Sequence, residues 1–420
     1  MTDQISPSSS LWHNRDFLLF VASRSGNGVG VQMLTVAVGW HVYALTGDPL
    51  DLGLIGLAQF APNLALFLLA GLAADRFDRR LIMVICNIGH VAAVAALLAI
   101  IWQGGSVAAI LAVLVLHGTA RAFYHTAAQA ILPNLVEPAR FPNAIAYSSS
   151  ANKAAQLLGP AVGGLLIAWI GDGVYWVTLA MFAISGAVAA LIARNPNRLL
   201  RERVDLTSVL GGFLYVWNNK LVLGAISIDL LAVLFGGVMG MMPIFASDVL
   251  HVGPEGLGVM RAMPATGSLI CGLVLAKIAA PRHMGPILFA ALVVFSVSIV
   301  VFSLSEVFWL SLLALAIYGA GDMVSVYVRQ IVVQIATPDA MRGRVSAVNS
   351  VSINASNELG DFRAGVMAAG IGTVPAVLVG GIATLGVTLL WWRLFPSLRM
   401  VDRLEELVGK EHHPKQSSSS

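Results

Sequence analysis

Long apolar runs recur along almost the whole chain, and they constrain its fold more than any other feature. Twelve runs are each long enough to cross a hydrocarbon core of about 30 Å as a helix rising about 1.5 Å per residue. They lack the alternation of apolar and polar residues, over segments of about 10 residues, that transmembrane β-strands show. The sequence therefore predicts an all-α integral membrane protein with twelve transmembrane helices. The expected spans are 17–45, 53–74, 81–102, 107–131, 142–170, 174–193, 221–248, 257–279, 285–303, 308–335, 345–369 and 374–395.

The composition excludes a soluble protein. Charged residues make up 11% of the 420 residues and apolar residues 57%, whereas a soluble domain is about 25% charged. So few charges cannot cover a water-facing surface, and the apolar content is too high for a disordered chain. Cys86 and Cys271 both lie in apolar segments and can form neither a disulfide framework nor a metal cluster. The sequence contains no nucleophile elbow, HExxH or Walker A motif, so we expect no enzyme activity, no cofactor and no bound metal.

The longest internal polar stretch divides the spans into six and six. We expect an N-terminal six-helix bundle at 1–193, a cytoplasmic central loop at 194–220, a C-terminal six-helix bundle at 221–395 and a cytoplasmic tail at 396–420 that is disordered at its end. Segments that would lie inside carry most of the 25 lysines and arginines, and the outside loops carry none. The positive-inside rule therefore places both termini in the cytoplasm. The polar start of the chain is not expected to be a cleavable signal peptide.

Glycines repeat between the two halves. Three pairs are each separated by 201 residues, and they are Gly71 with Gly272, Gly159 with Gly360, and Gly164 with Gly365. The halves therefore align in one register, as in secondary transporters built from internal repeats, whose binding site lies near the midplane.

Three segments resemble motifs of the major facilitator superfamily. Residues 71–80, GLAADRFDRR, are similar to its loop 2–3 motif, and residues 158–164, LGPAVGG, resemble its antiporter motif. Residues 337–348, TPDAMRGRVSAV, which run into 356–360, SNELG, resemble the branch that includes bacterial enterobactin exporters. The resemblance covers nearly the whole chain and implies the major facilitator fold, with two pseudo-symmetric six-helix bundles.

The resemblance also implies a conformational latch. Its residues are Gly71, Asp75, Arg76, Arg79 and Arg80. Asp75 would face a helix N-terminus in the opposite half, where the helix dipole favours an anion, and the best candidate is the start of the eleventh span. The latch would hold the outward-open state closed on the inside. The alternative is a charged loop that only obeys the positive-inside rule.

A second motif is expected to kink the fifth span. It consists of Gly159, Pro160, Gly163 and Gly164. Proline removes a backbone hydrogen bond and kinks a helix, and neighbouring glycines allow close helix contact. The antiporter resemblance suggests that this motif prevents leakage.

Ionisable residues inside the spans are the candidate substrate and proton pathway, since such residues usually face a cavity or a partner. The resemblance implies that spans one, four, seven and ten line a central cavity. Each has one ionisable residue well inside, and these are Arg24, Arg121, Asp229 and Asp322. His117 and His125 lie four residues on either side of Arg121, along one helical stripe. The alternative is a set of buried pairs such as Arg24 with Asp322.

The eleventh span is unusually polar. Asn354, Asn357, Glu358 and Asp361 share one helical face, which cannot face lipid. Glu358 and Asp361 are one turn apart, and ionising both at low dielectric is unfavourable, which suits a proton carrier. The alternative is an ion pair between Asp361 and Arg363 or another cation.

Together these features predict a secondary active transporter that exports a small molecule across the bacterial inner membrane by proton antiport with alternating access. A siderophore-like metabolite or a drug is the cargo that the resemblance implies, and the direction also depends on the resemblance. Alternatives are a proton-coupled uptake symporter and a non-transporting membrane sensor. The expected partners are the small-molecule substrate, protons as the coupling ion and the lipid bilayer, with no nucleic acid, and the chain is expected to be a monomer.

Overall fold

A computed structural model describes residues 11–193, 206–277 and 283–401, and every regular element in these ranges is helical. A backbone that crosses lipid must satisfy its own hydrogen bonds, and the apolar runs do so as helices. Among the described residues, eleven helices are long and apolar enough to cross a membrane. They match eleven of the twelve expected spans.

Six helices form the first half of the chain. They are α1 Arg15–Thr46, α2 Pro49–Arg76, α3 Arg79–Trp102, α4 Val107–Ile131, α5 Phe141–Ile170 and α6 Gly173–Ala190. The described part of the second half contains long helices together with several short ones. They are α7 Leu206–Asn218, α8 Lys220–Gly236, α9 Met242–Ile244, α10 Gly253–Leu275, α11 Met284–Leu304, α12 Phe308–Ile335, α13 Asp339–Ile371, α14 Thr373–Leu394 and α15 Pro396–Arg399.

The twelfth expected span is α13. At 33 residues it is the longest of these helices, and only its polar side chains, such as Glu358, Asp361 and Arg363, separate it from the eleven apolar ones. The predicted all-α fold of twelve transmembrane helices is thereby confirmed.

The described helices form two compact units that nearly follow the two halves of the sequence. Unit 1 comprises 11–47, 57–193 and 253–262, and unit 2 comprises 48–56, 206–252, 263–277 and 283–401. The first turns of α2 therefore belong to unit 2, and the first turns of α10 belong to unit 1. Each unit buries its own apolar core, around Phe20 and Met83 in unit 1 and around Leu288 and Val332 in unit 2.

Close glycine contacts explain the exchanged first turns. A Cβ atom on Gly164 of α5 would lie 2.6 Å from the Cα of Gly258 in α10, inside unit 1. A Cβ atom on Gly365 of α13 would lie 2.8 Å from the Cα of Gly53 in α2, inside unit 2. Only glycine allows backbones to approach so closely. Since Gly164 and Gly365 are a pair of the 201-residue repeat, the repeat produces the same helix crossing in each unit.

The expected central loop contains a helix, α7, and residues 194–205 of that loop lie outside the described residues. A loop was expected because residues 194–220 are the longest polar stretch inside the chain. The second part of this stretch, from Leu206 to Trp217, is however largely apolar. The expected tail begins as the short helix α15, whose Leu398 is fully buried. Residues 402–420, which include the end of the tail where disorder was expected, lie outside the described residues.

Candidate functional site

The predicted pathway residues divide between the units by charge. Unit 1 holds the basic ones, on α1 and α4, and they are Arg24, His117, Arg121 and His125. Unit 2 holds the acidic ones, on α8, α12 and α13, and they are Asp229, Asp322, Glu358 and Asp361. The contacts of each residue show whether its side chain is accessible or is buried in the interior of its unit.

Arg24, Arg121 and His125 form a basic cluster in unit 1. The Arg24 guanidinium donates a hydrogen bond of 3.0 Å to the Ser148 hydroxyl on α5 and lies 5.9 Å from the ring centre of Phe20. His125 interacts electrostatically with both arginines. Its Nε2 atom is 3.1 Å from the Gln129 amide nitrogen, and its side chain is exposed. The basic cluster can therefore offer several donors and a positive field to an anionic or electron-rich group.

His117 does not join the basic cluster. It is fully buried, and its Nδ1 atom lies 3.0 Å from the Nδ1 atom of His90 on α3, so one neutral ring donates to the other. Within the described residues, both Nε2 atoms are buried and make no hydrogen bond. His117 is two full turns from His125, and eight residues rotate the side-chain direction by about 80°. The predicted stripe is therefore divided between the accessible surface and the interior.

Two further pairs of neutral residues form hydrogen bonds in the buried interior of unit 1. The Ser23 hydroxyl donates to the Ser185 carbonyl oxygen at 2.9 Å, and the Asn27 amide donates to the Asn87 side-chain oxygen at 3.1 Å. These bonds connect α1 to α6 and α3. Hydrogen bonds of this kind hold helices together in a membrane, where apolar contact with a neighbouring helix gains little over contact with lipid.

Asp229 is locked in a buried ion pair. Its carboxylate lies 2.7 Å from the Arg329 guanidinium on α12, and each residue is only 5% exposed. Arg329 also donates to the Ser325 hydroxyl at 3.1 Å. This pairing corresponds to the alternative interpretation of Asp229, with a partner that the sequence did not indicate. Because removal of either charge would leave the other one buried without compensation, the pair is a structural element of unit 2.

Asp322, Glu358 and Asp361 form an acidic cluster in unit 2. Asp322 and Asp361 both interact electrostatically with the phenol of the half-buried Tyr318. Glu358 reaches the first turns of α2, where a Cβ atom on Gly56 would lie 3.4 Å from a Glu358 carboxylate oxygen and 3.8 Å from the Asp361 Cβ. Three of the predicted pathway residues are thus brought together in one region of unit 2.

The seventh span is broken next to the acidic cluster. After α8 ends at Gly236, the span continues through a 3₁₀ turn at Met239–Met241, through α9, and through a π-helical turn at Phe245–Val249. Arg363 on α13 donates to the carbonyl oxygens of Leu234 at 3.0 Å and Phe235 at 2.7 Å. The break deprives such carbonyls of helical partners, and Arg363 satisfies them while interacting electrostatically with Asp361. Sequence reasoning considered Arg363 only as a partner of Asp361.

The arginines of the loop 2–3 motif bind helix ends within unit 1. Arg79 donates to the Ala74 carbonyl at 3.1 Å and to the Ala130 carbonyl at 2.7 Å, and Arg80 donates to the Ala190 carbonyl. Arg79 and Arg80, at the start of α3, thus place positive charges at the C-terminal ends of α2, α4 and α6. The helix dipole favours a cation at such an end. Asp75 and Arg76 are exposed, and their predicted role as a latch stays a prediction.

The glycine and proline motif lies in the interior of α5, which stays helical through Pro160. A Cβ atom on Gly159 would lie 2.6 Å from the Gln32 Cβ, and one on Gly163 would lie 3.1 Å from the Met33 Cα. The motif therefore packs α5 tightly against α1 inside unit 1.

The comparisons with protein families and curated proteins agree with this architecture. A family model described as transmembrane secretion effector, MFS_3, matches residues 5–419. The multidrug efflux pump Tap of Mycolicibacterium fortuitum is 28% identical over 87% of this chain and 94% of its own length. The enterobactin exporter EntS of Citrobacter koseri is 24% identical over 88% of this chain and 89% of its own length.

Solved structures share the fold at low identity. The nucleoside transporter NupG has a TM-score of 0.73 at 14% identity, over 90% of this chain and 99% of that one. A bacterial homologue of the human lysosomal transporter Spinster has a TM-score of 0.72 at 15% identity, over 97% of this chain and all of that one. At these identities the two structures show the fold alone.

Proposed function

Because the chain belongs to the transmembrane secretion effector family of the major facilitator superfamily, and is a multi-pass membrane transporter rather than an enzyme, we propose that it exports a small molecule across the bacterial inner membrane by proton antiport. The cargo is a drug-like compound or a siderophore-like metabolite. The names of two relatives, a multidrug efflux pump and an enterobactin exporter, support this class and this direction.

The observation that carries the proposal is the division of charge between the units. The basic cluster of Arg24, Arg121 and His125 is a recognition surface for an anionic or electron-rich group of the cargo. The acidic cluster of Asp322, Glu358 and Asp361 carries the proton. A cargo that enters from the cytoplasm and a proton that enters from outside would then bind to different units.

In this proposal, the break in the seventh span couples protonation of the acidic cluster to a conformational change. Protonation of Asp361 would remove a negative charge that interacts with Arg363, and Arg363 holds the carbonyl oxygens at the end of α8. A broken span beside titratable groups is a feature of alternating-access transporters. We therefore assign the bending of this span to the proton-dependent step of an alternating-access cycle.

The proposed orientation places both termini in the cytoplasm. Its support is the excess of lysine and arginine in the segments that would lie inside. In this orientation Asp75 and the arginines of residues 71–80 lie at the cytoplasmic end, where the latch would keep the inside closed until cargo binds.

Transport into inverted membrane vesicles tests the proposal. With a proton gradient, acid inside, an exporter accumulates a labelled siderophore, or a fluorescent drug with an anionic or electron-rich group, inside the vesicle, and collapse of the gradient abolishes this accumulation. Asp322→Asn should reduce accumulation to the level of empty vesicles, whereas Glu306→Gln, which changes an exposed carboxylate between α11 and α12, should not.

Two other outcomes would replace the proposal. An uptake symporter would show gradient-driven accumulation only in right-side-out vesicles. A membrane sensor would show no flux of any kind, and neutralising Asp322 and Glu358 would change nothing.

Comparative metabolomics identifies the cargo. The medium of a deletion strain, grown with and without iron, is compared with that of the parent strain. Loss of one extracellular compound that returns on complementation, but not on complementation with Asp322→Asn, names the substrate.

A further inference from the structure

The helix α7 has two faces with different surroundings. It comprises 13 residues, Leu206–Asn218, and at about 20 Å it is too short to cross a bilayer. It stands between the last span of the first half and the first span of the second, and it belongs to unit 2.

The inner face of α7 is docked on the connection between α12 and α13. The Tyr215 hydroxyl donates to the Ala336 carbonyl oxygen at 2.8 Å. A Cβ atom on Gly212 would lie 2.8 Å from the Arg344 carbonyl oxygen, so the two backbones touch. Val216 is buried beside them. The position of α7 is therefore tied to the start of α13, the helix that carries Glu358 and Asp361.

The outer face of α7 is apolar and open. Phe213, Leu214 and Trp217 are 52%, 60% and 63% exposed. The rings of Phe213 and Trp217 stack with their centres 6.1 Å apart. Three large apolar side chains with this exposure form a continuous patch, which calls for an apolar or interfacial neighbour.

Two exposed basic residues lie beside α7. Lys220 follows the last residue of α7, Asn218, by two positions, and Arg344 brings a guanidinium nitrogen within 3.5 Å of the position that a Cβ on Gly211 would take. The charge around the patch is therefore complementary to phosphate groups.

We propose that the outer face of α7 inserts into the headgroup region of the bilayer and that its basic neighbours bind anionic lipid headgroups. A short helix with an aromatic apolar face and basic flanks lies in the plane of the interface, where anionic lipids attract lysine and arginine. The site is a lipid-binding surface apart from the transport pathway. It depends on the proposed function only for its assignment to the cytoplasmic leaflet.

Because the inner face of α7 is docked on α13, lipid that binds α7 is expected to affect transport. Lipid that holds α7 also holds the start of α13, because Tyr215 and Gly212 fasten the two elements together. The rate of transport is therefore expected to rise with the fraction of anionic lipid, and this effect should disappear when the outer face no longer binds.

Lipid quenching in the full-length protein tests the proposal. In a chain with Cys86→Ala and Cys271→Ala, Leu214→Cys is labelled with bimane, and the protein is reconstituted in phosphatidylcholine vesicles that contain doxyl-labelled phosphatidylglycerol or doxyl-labelled phosphatidylcholine at equal mole fraction. We expect clearly stronger quenching by phosphatidylglycerol, and a loss of this preference at high salt. The matched control is Trp309→Cys, an exposed position near the start of α12, at the opposite end of that helix from the α7 docking site, which should be quenched equally by both lipids.

The variant Lys220→Gln tests the role of charge. It should lower the preference for phosphatidylglycerol by about five-fold, as expected for one basic residue near an anionic surface, and leave the elution volume of the protein unchanged. Equal quenching by the two lipids at Leu214→Cys would overturn the proposal. So would the absence of quenching by either lipid, which would mean that protein, such as a second copy of the chain, covers this face. Both readouts are independent of transport, so a failed transport assay would not affect them.

Discussion

Units 1 and 2 share one helix crossing but differ in how their interiors satisfy polar groups. Gly164 meets Gly258 in unit 1, and Gly365 meets Gly53 in unit 2. In unit 1, several buried hydrogen bonds join two neutral side chains of the same type, such as His90 with His117 and Asn27 with Asn87. Unit 2 instead contains a buried ion pair, a broken span clamped by Arg363, and a cluster of acids.

Under the proposed function, this difference corresponds to different roles for the two units. The neutral pairs join α1, α3, α4 and α6 of unit 1 by hydrogen bonds, and unit 1 carries the basic cluster that is proposed to recognise the cargo. Unit 2 combines carboxylates with a break in the seventh span, and the proposal assigns the proton-dependent movement to it.

The largest expected effect on stability is the loss of the ion pair in unit 2. Asp229→Asn leaves the Arg329 charge buried without a partner, and the free energy of unfolding should fall by about 3–5 kcal/mol. Thermal unfolding of the detergent-purified protein measures this change. Asp229→Leu combined with Arg329→Met should recover most of the loss, and Glu306→Gln serves as the control. A single variant as stable as the parent would show that the pair is dispensable.

Arg363→Met should have the next largest effect. It leaves the Leu234 and Phe235 carbonyl oxygens at the break without their donor, and an unsatisfied buried group costs about 1–3 kcal/mol. Arg363→Lys keeps the charge and one donor and should retain more of both stability and transport. If Met and Lys variants behave alike, the clamp has no role in the transport cycle.

His90→Leu should cost less, about 1–2 kcal/mol, because it leaves His117 with an unpaired buried nitrogen. Replacement of both histidines by leucine should recover the stability and leave transport intact, since the pair only joins α3 to α4. Thermal unfolding and vesicle transport measure the two results. Loss of transport in a stable double variant would mean that unit 1 also takes part in proton movement.

Asp75→Asn should have the smallest effect on stability, because an exposed charge contributes about 0–1 kcal/mol. Its expected effect is on rate, with slower transport in vesicles at an unchanged amount of protein. Arg79→Ala gives the contrast, since it removes donors from the ends of α2 and α4 and should lower stability. Unchanged transport in Asp75→Asn would exclude the latch.

The fold followed closely from the sequence. The apolar runs predicted twelve helices, the motifs predicted the major facilitator superfamily, and both predictions are confirmed. The family and its relatives also indicate a transporter rather than an enzyme, as expected. Even α13, too polar to count as a span by composition, was recognisable because its polar residues follow a helical period and share a face.

The partners of the site residues did not follow from the sequence. Asp229 meets Arg329 across 100 positions, and His117 meets His90 rather than the stripe on its own helix. The break after Gly236 was also unforeseen, because the run from Lys220 to Val249, despite Asp229, has a mean hydropathy high enough to predict one continuous helix.

Burial in lipid forces every apolar run to satisfy its backbone internally, and this requirement is local, so residues close in sequence determined where the helices are and which family they form. Which charges pair, which stay accessible and where a span breaks depend on helices that meet from distant parts of the chain. Only the packing of α8 against α12 and α13, and of α3 against α4, decided those contacts.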